Sequence, residues 1–359
     1  MGLLTIVFIP VVALFLMGIY LQPLFGDLTR IGFYAERDFG WSGSQVEFLR
    51  PLSAFGSYSQ KYDVVVLGDS FSTGRATFHW QNYLVAKTGV SLITLDINRV
   101  ALDSILDGEN FRKNPPKLFI LESVERELPN RFGHKLPCPE EVANSIDHPS
   151  PQTSLAVKSE PGGDLTRHVE RNISWNDVKL GYVLSYLGRH LFHSVDSSVV
   201  KVELSKEAPF SSRNRHAMLV YKDDLRKVSW WKEMGMRELV CRIEATRRRV
   251  ESNGKTRFLL LVAPDKLTAY EEFVANPELR DLSRLSVLAA SMPAVMPRVD
   301  RALSEAIQLG ITDVYLPDDT HWGAAGYQIA SDTVVSFVNG DDSGGFGGKP
   351  ASRGFDQRR

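Results

Sequence analysis

The sequence predicts an α/β fold built on a parallel sheet with helices on both faces, and three observations predict it. Short apolar, β-branched runs recur along the chain at 64–67, 91–95, 118–121, 257–262 and 312–316. They alternate with segments of helical spacing, the pattern of strand-crossover-strand units. Two of the runs end in loops rich in polar, chemistry-bearing residues, where parallel sheets gather their ligand sites. The first such loop is Gly68-Asp69-Ser70, and the second is Pro317-Asp318-Asp319-Thr320-His321-Trp322-Gly323.

Taken in order, residues 1–26 carry no charged side chain, and Leu3 to Phe25 is almost wholly apolar. That length predicts a single membrane-spanning anchor, since a bilayer-crossing helix needs roughly 20 such residues. Asp27 to Lys61 is mixed and aromatic-rich, a lead-in along the edge of the domain. Val64-Val65-Val66-Leu67 reads as a fully buried strand stopped at Gly68, where glycine permits a sharp bend. Thr77 to Thr88 has helical spacing closed by Gly89, and Ser91–Leu95 and Leu118–Leu121 are the next strands.

From Pro129 to about Val200 the periodicity loosens among Pro- and Gly-rich turns, which predicts an insertion beside the site with one helix near Trp175–His193. Asp223 to Ser252 reads as one long amphipathic helix whose Arg247-Arg248-Arg249 run forms a solvated face. Arg257–Val262 is a fourth strand, Val299–Leu309 a helix, Thr312–Leu316 a fifth strand, and a last helix runs past Phe337. The tail 339–359 is Gly-rich and polar, with the composition of a disordered segment.

With 359 residues, 43% hydrophobic and 24% charged, the chain can bury a sizeable core. A formal net charge of −1 gives no basic footprint for nucleic acid. The two cysteines, Cys138 and Cys241, are too few for a disulfide scaffold or a cysteine-rich metal site, and the sequence leaves their pairing open. No phosphate-binding glycine loop and no metal-spaced histidine cluster is present, so no cofactor or metal is expected.

The chemistry resides in the two loops. A serine at a strand-to-helix turn sits where free backbone N–H groups converge, which suits nucleophilic attack on a carbonyl and stabilisation of the oxyanion. Asp69 and Ser70 would equally serve as a helix N-cap. His321 has carboxylates two and three residues before it, as a general base held by an acid partner requires.

GDSF at Gly68–Phe71 and DTHW at Asp319–Trp322 resemble the SGNH (GDSL-type) hydrolase superfamily. Within it the chain is similar to the alginate O-acetyltransferase-like group, AlgX and AlgJ. VERELP at Val124–Pro129, PDKLTAY at Pro264–Tyr270 and DTHWGAAG at Asp319–Gly326 support that resemblance, which spans roughly Asp27 to Phe337. It implies a flavodoxin-like three-layer fold, with Ser70 as nucleophile, His321 as base and Asp319 as the acid. The Asp-x-x-His spacing of the wider superfamily selects Asp318 instead. In the alginate enzymes the Asp-x-His motif precedes the serine, whereas here it follows. The superfamily's oxyanion glycine and asparagine are not matched at Asp96–Arg99 and Glu122–Arg126, which leaves Asn98, Ser123 and Arg126 as alternative donors. Asp69, Lys266, Tyr270 and Trp322 complete the expected pocket, each with an ordinary structural role as the alternative.

These expectations describe an O-acetyltransferase acting on a cell-surface or exported polysaccharide, anchored in the cell membrane with its globular part outside the cytoplasm. A multi-span membrane acyltransferase would deliver the acyl donor. Two other readings stay open: an esterase using the same triad, and a non-catalytic polysaccharide-binding assembly subunit that keeps the fold.

Overall fold

The computed structural model describes residues 2–21, 26–133, 138, 150–158, 165–171, 180–192 and 198–341. Nine strands occur among them: β1 Gln45–Phe48, β2 Ala54–Phe55, β3 Val64–Gly68, β4 Leu92–Asp96, β5 Leu118–Val124, β6 Thr166–Val169, β7 Val199–Glu203, β8 Ala217–Tyr221 and β9 Arg257–Ala263. Five form the central sheet in the order β2-β4-β3-β5-β9, every neighbouring pair parallel. The protein is therefore α/β with a central parallel sheet, in an order compatible with a flavodoxin-like fold.

Side chains alternate across a strand, and here both faces are apolar, so both must be covered. Val64, Val66, Leu118 and Ile120 pack into one core with Trp80, Leu84, Leu303, Val334 and Val338. Val65, Leu67, Phe119 and Leu121 pack into a second core with Leu239, Ile243, Leu285 and Leu288. The helices Trp80–Thr88, Val299–Gln308 and Ala324–Asn339 thus lie on one side, and Met236–Glu251 and Leu285–Ser291 on the other.

Several expectations are corrected. The N-terminal run is a helix, Gly2–Leu21, with Pro10 inside it. Among the described residues no helix is long and apolar enough to cross a membrane, which overturns the spanning anchor and the single-pass location expected from run length. Part of that apolar surface is covered within the chain: Leu21 is buried in a cluster with Ala35 and Val183, against which Leu14 and Met17 of this helix and Tyr182, Tyr186 and Leu187 of the helix Leu180–Phe192 pack. Arg37 also lies 3.9 Å over the Tyr20 ring.

Thr312–Leu316 is not a fifth sheet strand. Tyr315 makes an isolated bridge to Trp322, and the fifth position is taken by two-residue β2 at the opposite edge. The long helix expected over 223–252 is two, Lys222–Met234 and Met236–Glu251, broken at Gly235 with φ 76°. Arg247 is not solvated: its side chain is only 6% exposed and pairs with Glu244 and Glu251.

Within the expected insertion the described pieces are supportive elements. β6 pairs antiparallel with β1, and β7 pairs with β8. Cys138 and Cys241 form a disulfide with Cα atoms 5.6 Å apart, closing a separation of 103 residues. Most of the expected disordered tail, from 342 onward, lies outside the described residues, as do parts of the insertion.

Candidate active site

β3 stands at the centre of the sheet, between β4 and β5, where the chain's strand order reverses. In open parallel sheets that is where a crevice opens at the carboxyl ends of the strands. The turn there is built from below by a buried acid. Glu122 on β5 accepts from the Asp69 backbone N–H at 2.9 Å and the Ser72 hydroxyl at 2.8 Å, and Trp80 Nε1 donates to Ser72 Oγ at 3.1 Å. A Cβ at Gly68 would lie 2.6 Å from Glu122 Oε2 and 2.7 Å from Ser72 Oγ. The glycine is required for space, because its φ is not in the left-handed region. Burial, with the nearby Asp69 charge, pushes Glu122 well above the ordinary carboxylate range.

Asp69 caps the turn and does not line the cavity. Its carboxylate accepts from Phe71 N at 3.1 Å and Val124 N at 2.8 Å, tying the turn to β5. Ser70, the first residue of the helix Ser70–Thr73, is exposed and points its turn into a cavity of about 260 Å³. That cavity is also lined by Asp27, Trp41, Gln45, Arg75, Phe78, Asp318, Asp319, His321, Trp322 and Tyr327.

The second loop therefore meets the first. The Phe71 ring lies 4.9 Å from the His321 ring and 4.8 Å from that of Trp322, centroid to centroid. Asp319 Oδ1 and His321 Nδ1 are 2.7 Å apart, which directs Nε2 away from the carboxylate. Nε2 is shielded from solvent and makes no hydrogen bond among the described residues, so it is not bonded to Ser70 Oγ.

The charges within the pair reinforce one another. Burial disfavours ionised Asp319, but the hydrogen bond and charge of His321 override it and hold the carboxyl well below its ordinary range. For His321, burial favours the neutral ring; the Asp319 hydrogen bond and the charges of Asp319, Asp27 and Asp69 outweigh it and raise its pKa.

Of the two candidate acids, Asp319 contacts the imidazole and Asp318 does not. The Asp318 side chain is fully buried against Glu36, and burial with that second acid pushes it well above the carboxylate range. Glu36 in turn accepts from Thr29 Oγ1 at 2.5 Å and Arg171 Nη1 at 2.8 Å. The loop is otherwise tied by Lys266, whose buried Nζ donates to the carbonyls of Leu316 at 2.8 Å, Pro317 at 2.9 Å and Asp319 at 3.2 Å. Lys266 thus shapes the site without lining it, and Tyr270 is fully buried in the core.

The expected oxyanion donors are not brought to the cavity. Asn98 is exposed and accepts from Arg131 at 3.0 Å. Ser123 is buried and donates to the Val124 carbonyl. Arg126 pairs with Asp265 at 2.7 Å and Asp224 at 3.3 Å, in a buried network with Lys227 and Glu125. The Ser70 backbone N–H, at a helix start without an intrahelical acceptor, is the expected donor that remains at the turn.

Sequence reasoning missed the contribution of the lead-in. Leu28 N donates to the Asp318 carbonyl at 2.9 Å, and a Cβ at Gly26 would fall 2.1 Å from that oxygen, so this segment lies directly on the loop. It brings Asp27 into the cavity, where Asp27, Asp319 and His321 place ligand-capable atoms within 4.8 Å of one another. Gln45 accepts from Ala324 N at 2.9 Å and lines the same wall. Only the composition of the lead-in, aromatic and polar together, hinted at this.

No family model, no curated protein and no solved structure matches this chain.

Proposed function

We propose that the protein is a serine O-acyltransferase of the SGNH (GDSL-type) hydrolase kind, resembling the alginate O-acetyltransferase-like group, that transfers an acetyl group to a polysaccharide hydroxyl. The observation that carries the reading is the Asp319–His321 hydrogen bond, which leaves Nε2 without a hydrogen-bond partner on a residue that lines the same cavity as Ser70. In this reading Ser70 Oγ is the group that His321 Nε2 deprotonates, the two residues lining one cavity. Oγ attacks the donor carbonyl as its proton passes to Nε2, and Asp319 stabilises the imidazolium. Negative charge on the tetrahedral oxygen is met by the Ser70 N–H. The proton then leaves with the departing group, and the acetyl-enzyme is attacked by a sugar hydroxyl that His321 deprotonates. The donor is an activated ester or thioester.

The expected oxyanion donors that turn elsewhere favour a second reading, in which the cavity binds a carbohydrate without turning it over. One experiment separates the readings: the purified protein is given an activated acetyl ester with and without oligosaccharides. Acetylated sugar supports transfer, acetate alone indicates an esterase, and no turnover indicates a binding protein. In Ser70→Ala, turnover falls at least ~10³-fold, as loss of a triad nucleophile does; retained turnover would exclude Ser70 as nucleophile.

A further inference from the structure

The acceptor side of the cavity has a feature that the acyl-transfer chemistry leaves unused. Asp27 stands at the cavity wall, its carboxylate within 4.8 Å of both the Asp319 carboxylate and a ring nitrogen of His321. It is not a mobile surface acid. The backbone of its segment is fastened to the loop through Leu28 N, and Thr29 is buried and bonded to the Gly26 carbonyl at 3.0 Å and to Glu36. Its own ion pair, Arg30 Nη2 to Asp27 Oδ1 at 2.5 Å, is exposed on both sides, at 58% and 39%. Such a pair is screened and leaves the carboxylate available.

An acceptor hydroxyl must reach His321 to lose its proton. A hydroxyl on the adjacent ring carbon then lies within reach of Asp27. We propose that the acceptor is a neutral vicinal diol on a sugar ring, one hydroxyl on His321 and its neighbour donating to Asp27, so that Asp27 selects the acceptor. This rests on the acyl-transfer reading. The reacting hydroxyl gives its proton to His321 and its oxygen bonds to the acyl carbon. The bond from that carbon to Ser70 Oγ breaks, and Oγ recovers the proton. A carboxylate on the same ring would face Asp27 and the ionised Asp319 together, so uronate acceptors are disfavoured. Arg75, which follows Gly74 at the end of the helix Ser70–Thr73, also lines the cavity.

The test loads the full chain with an activated acetyl ester, reads acetyl-enzyme formation from the burst, and then compares acceptors. Wild type is expected to transfer to cis-1,2-cyclohexanediol roughly 10- to 100-fold faster than to cyclohexanol, the range for a hydrogen bond to a charged group. It is likewise expected to prefer methyl glucoside to methyl glucuronide at least ~10-fold. Asp27→Ala should abolish the diol preference, whereas Asp27→Asn, which keeps an acceptor oxygen but no charge, should keep part of it and lose the discrimination against the glucuronide. Circular dichroism confirms that each variant is folded. A diol preference that survives Asp27→Ala, or a wild type indifferent to the second hydroxyl or unable to use the diol, overturns the inference while a burst keeps the acyl-transfer reading. Absence of a wild-type burst ends both.

Discussion

The two halves of the candidate site are built differently. Ser70 stands on the central strand of the sheet, and its turn is locked by the buried acid Glu122 and by the Asp69 cap to β5. His321 stands on a loop that no sheet strand supports. It is held instead by side chains and backbone from elsewhere: Lys266 on three carbonyls, Leu28 N on Asp318, and Gly323 N on Val314. A close approach also fixes it, since a Cβ at Gly323 would lie 2.1 Å from the Asp313 carbonyl. Ser70 is thus placed by hydrophobic packing on both faces of the sheet. His321 is placed by polar ties, which are directional and fail singly.

The largest expected effects lie within the loop. Asp319→Asn is expected to lower kcat for ester turnover by at least ~10³-fold, because the imidazole loses the acceptor that fixes its tautomer. Asp318→Asn, whose side chain faces Glu36 and not His321, should cost at least ~10²-fold less in kcat than Asp319→Asn. Equal losses would mean that the two acids act as one unit. Next in size, Lys266→Met leaves the carbonyls of Leu316, Pro317 and Asp319 without their donor. We expect a loss of about 3–5 kcal/mol in denaturant unfolding, since each buried acceptor left unsatisfied costs about 1–3 kcal/mol. On the sheet side, Gly68→Ala pushes a methyl group against Glu122 and Ser72, and the cost should be smaller, about 1–3 kcal/mol, as for other overpacked cores. A larger loss from Gly68→Ala than from Lys266→Met would reverse the ranking of the two halves.

The smallest effect is a pH signature. The raised pKa of His321 contributes stability that is present below its unfolded value of about 6.5 and is lost as pH rises through the folded value. The lowered pKa of Asp319 contributes stability that is present above its unfolded value of about 3.9 and is lost as pH falls through the folded value. The difference in Tm between wild type and Asp319→Asn should therefore peak between about pH 4 and 6.5 and shrink on either side. Ester turnover, which needs neutral His321 as the base, should rise with pH through a midpoint above 6.5 or so. A Tm difference that is flat with pH would show that the ion pair is not formed in solution.

The sheet was legible because its strands are apolar on both faces and therefore stand out as short unbroken runs, as at Val64–Leu67 and Arg257–Val262. Ser70 and His321, which the structure brings to one cavity, stood out because each follows such a run. Thr312–Leu316 misled for the same reason, since its apolar residues Val314 and Tyr315 are buried without entering the sheet. The N-terminal run misled because an apolar run as long as a membrane span forms a helix that does not qualify as one, with Leu14, Met17 and Leu21 packed within the chain. Asp27 and Gln45 were illegible because they reach the cavity from some 280 residues away, Gln45 by one hydrogen bond to Ala324 across a separation of 279. The roles of Lys266 and Arg126 depend on where their long side chains end, which spacing along the chain does not reveal.

The most direct measurement is covalent trapping: acid quench of the protein during turnover of an activated acetyl ester, followed by peptide mass mapping. The account predicts a single acetyl group on the peptide carrying Ser70, formed in wild type and discharged by a diol-bearing acceptor. An acetyl group on any other residue, or none during turnover, would contradict it.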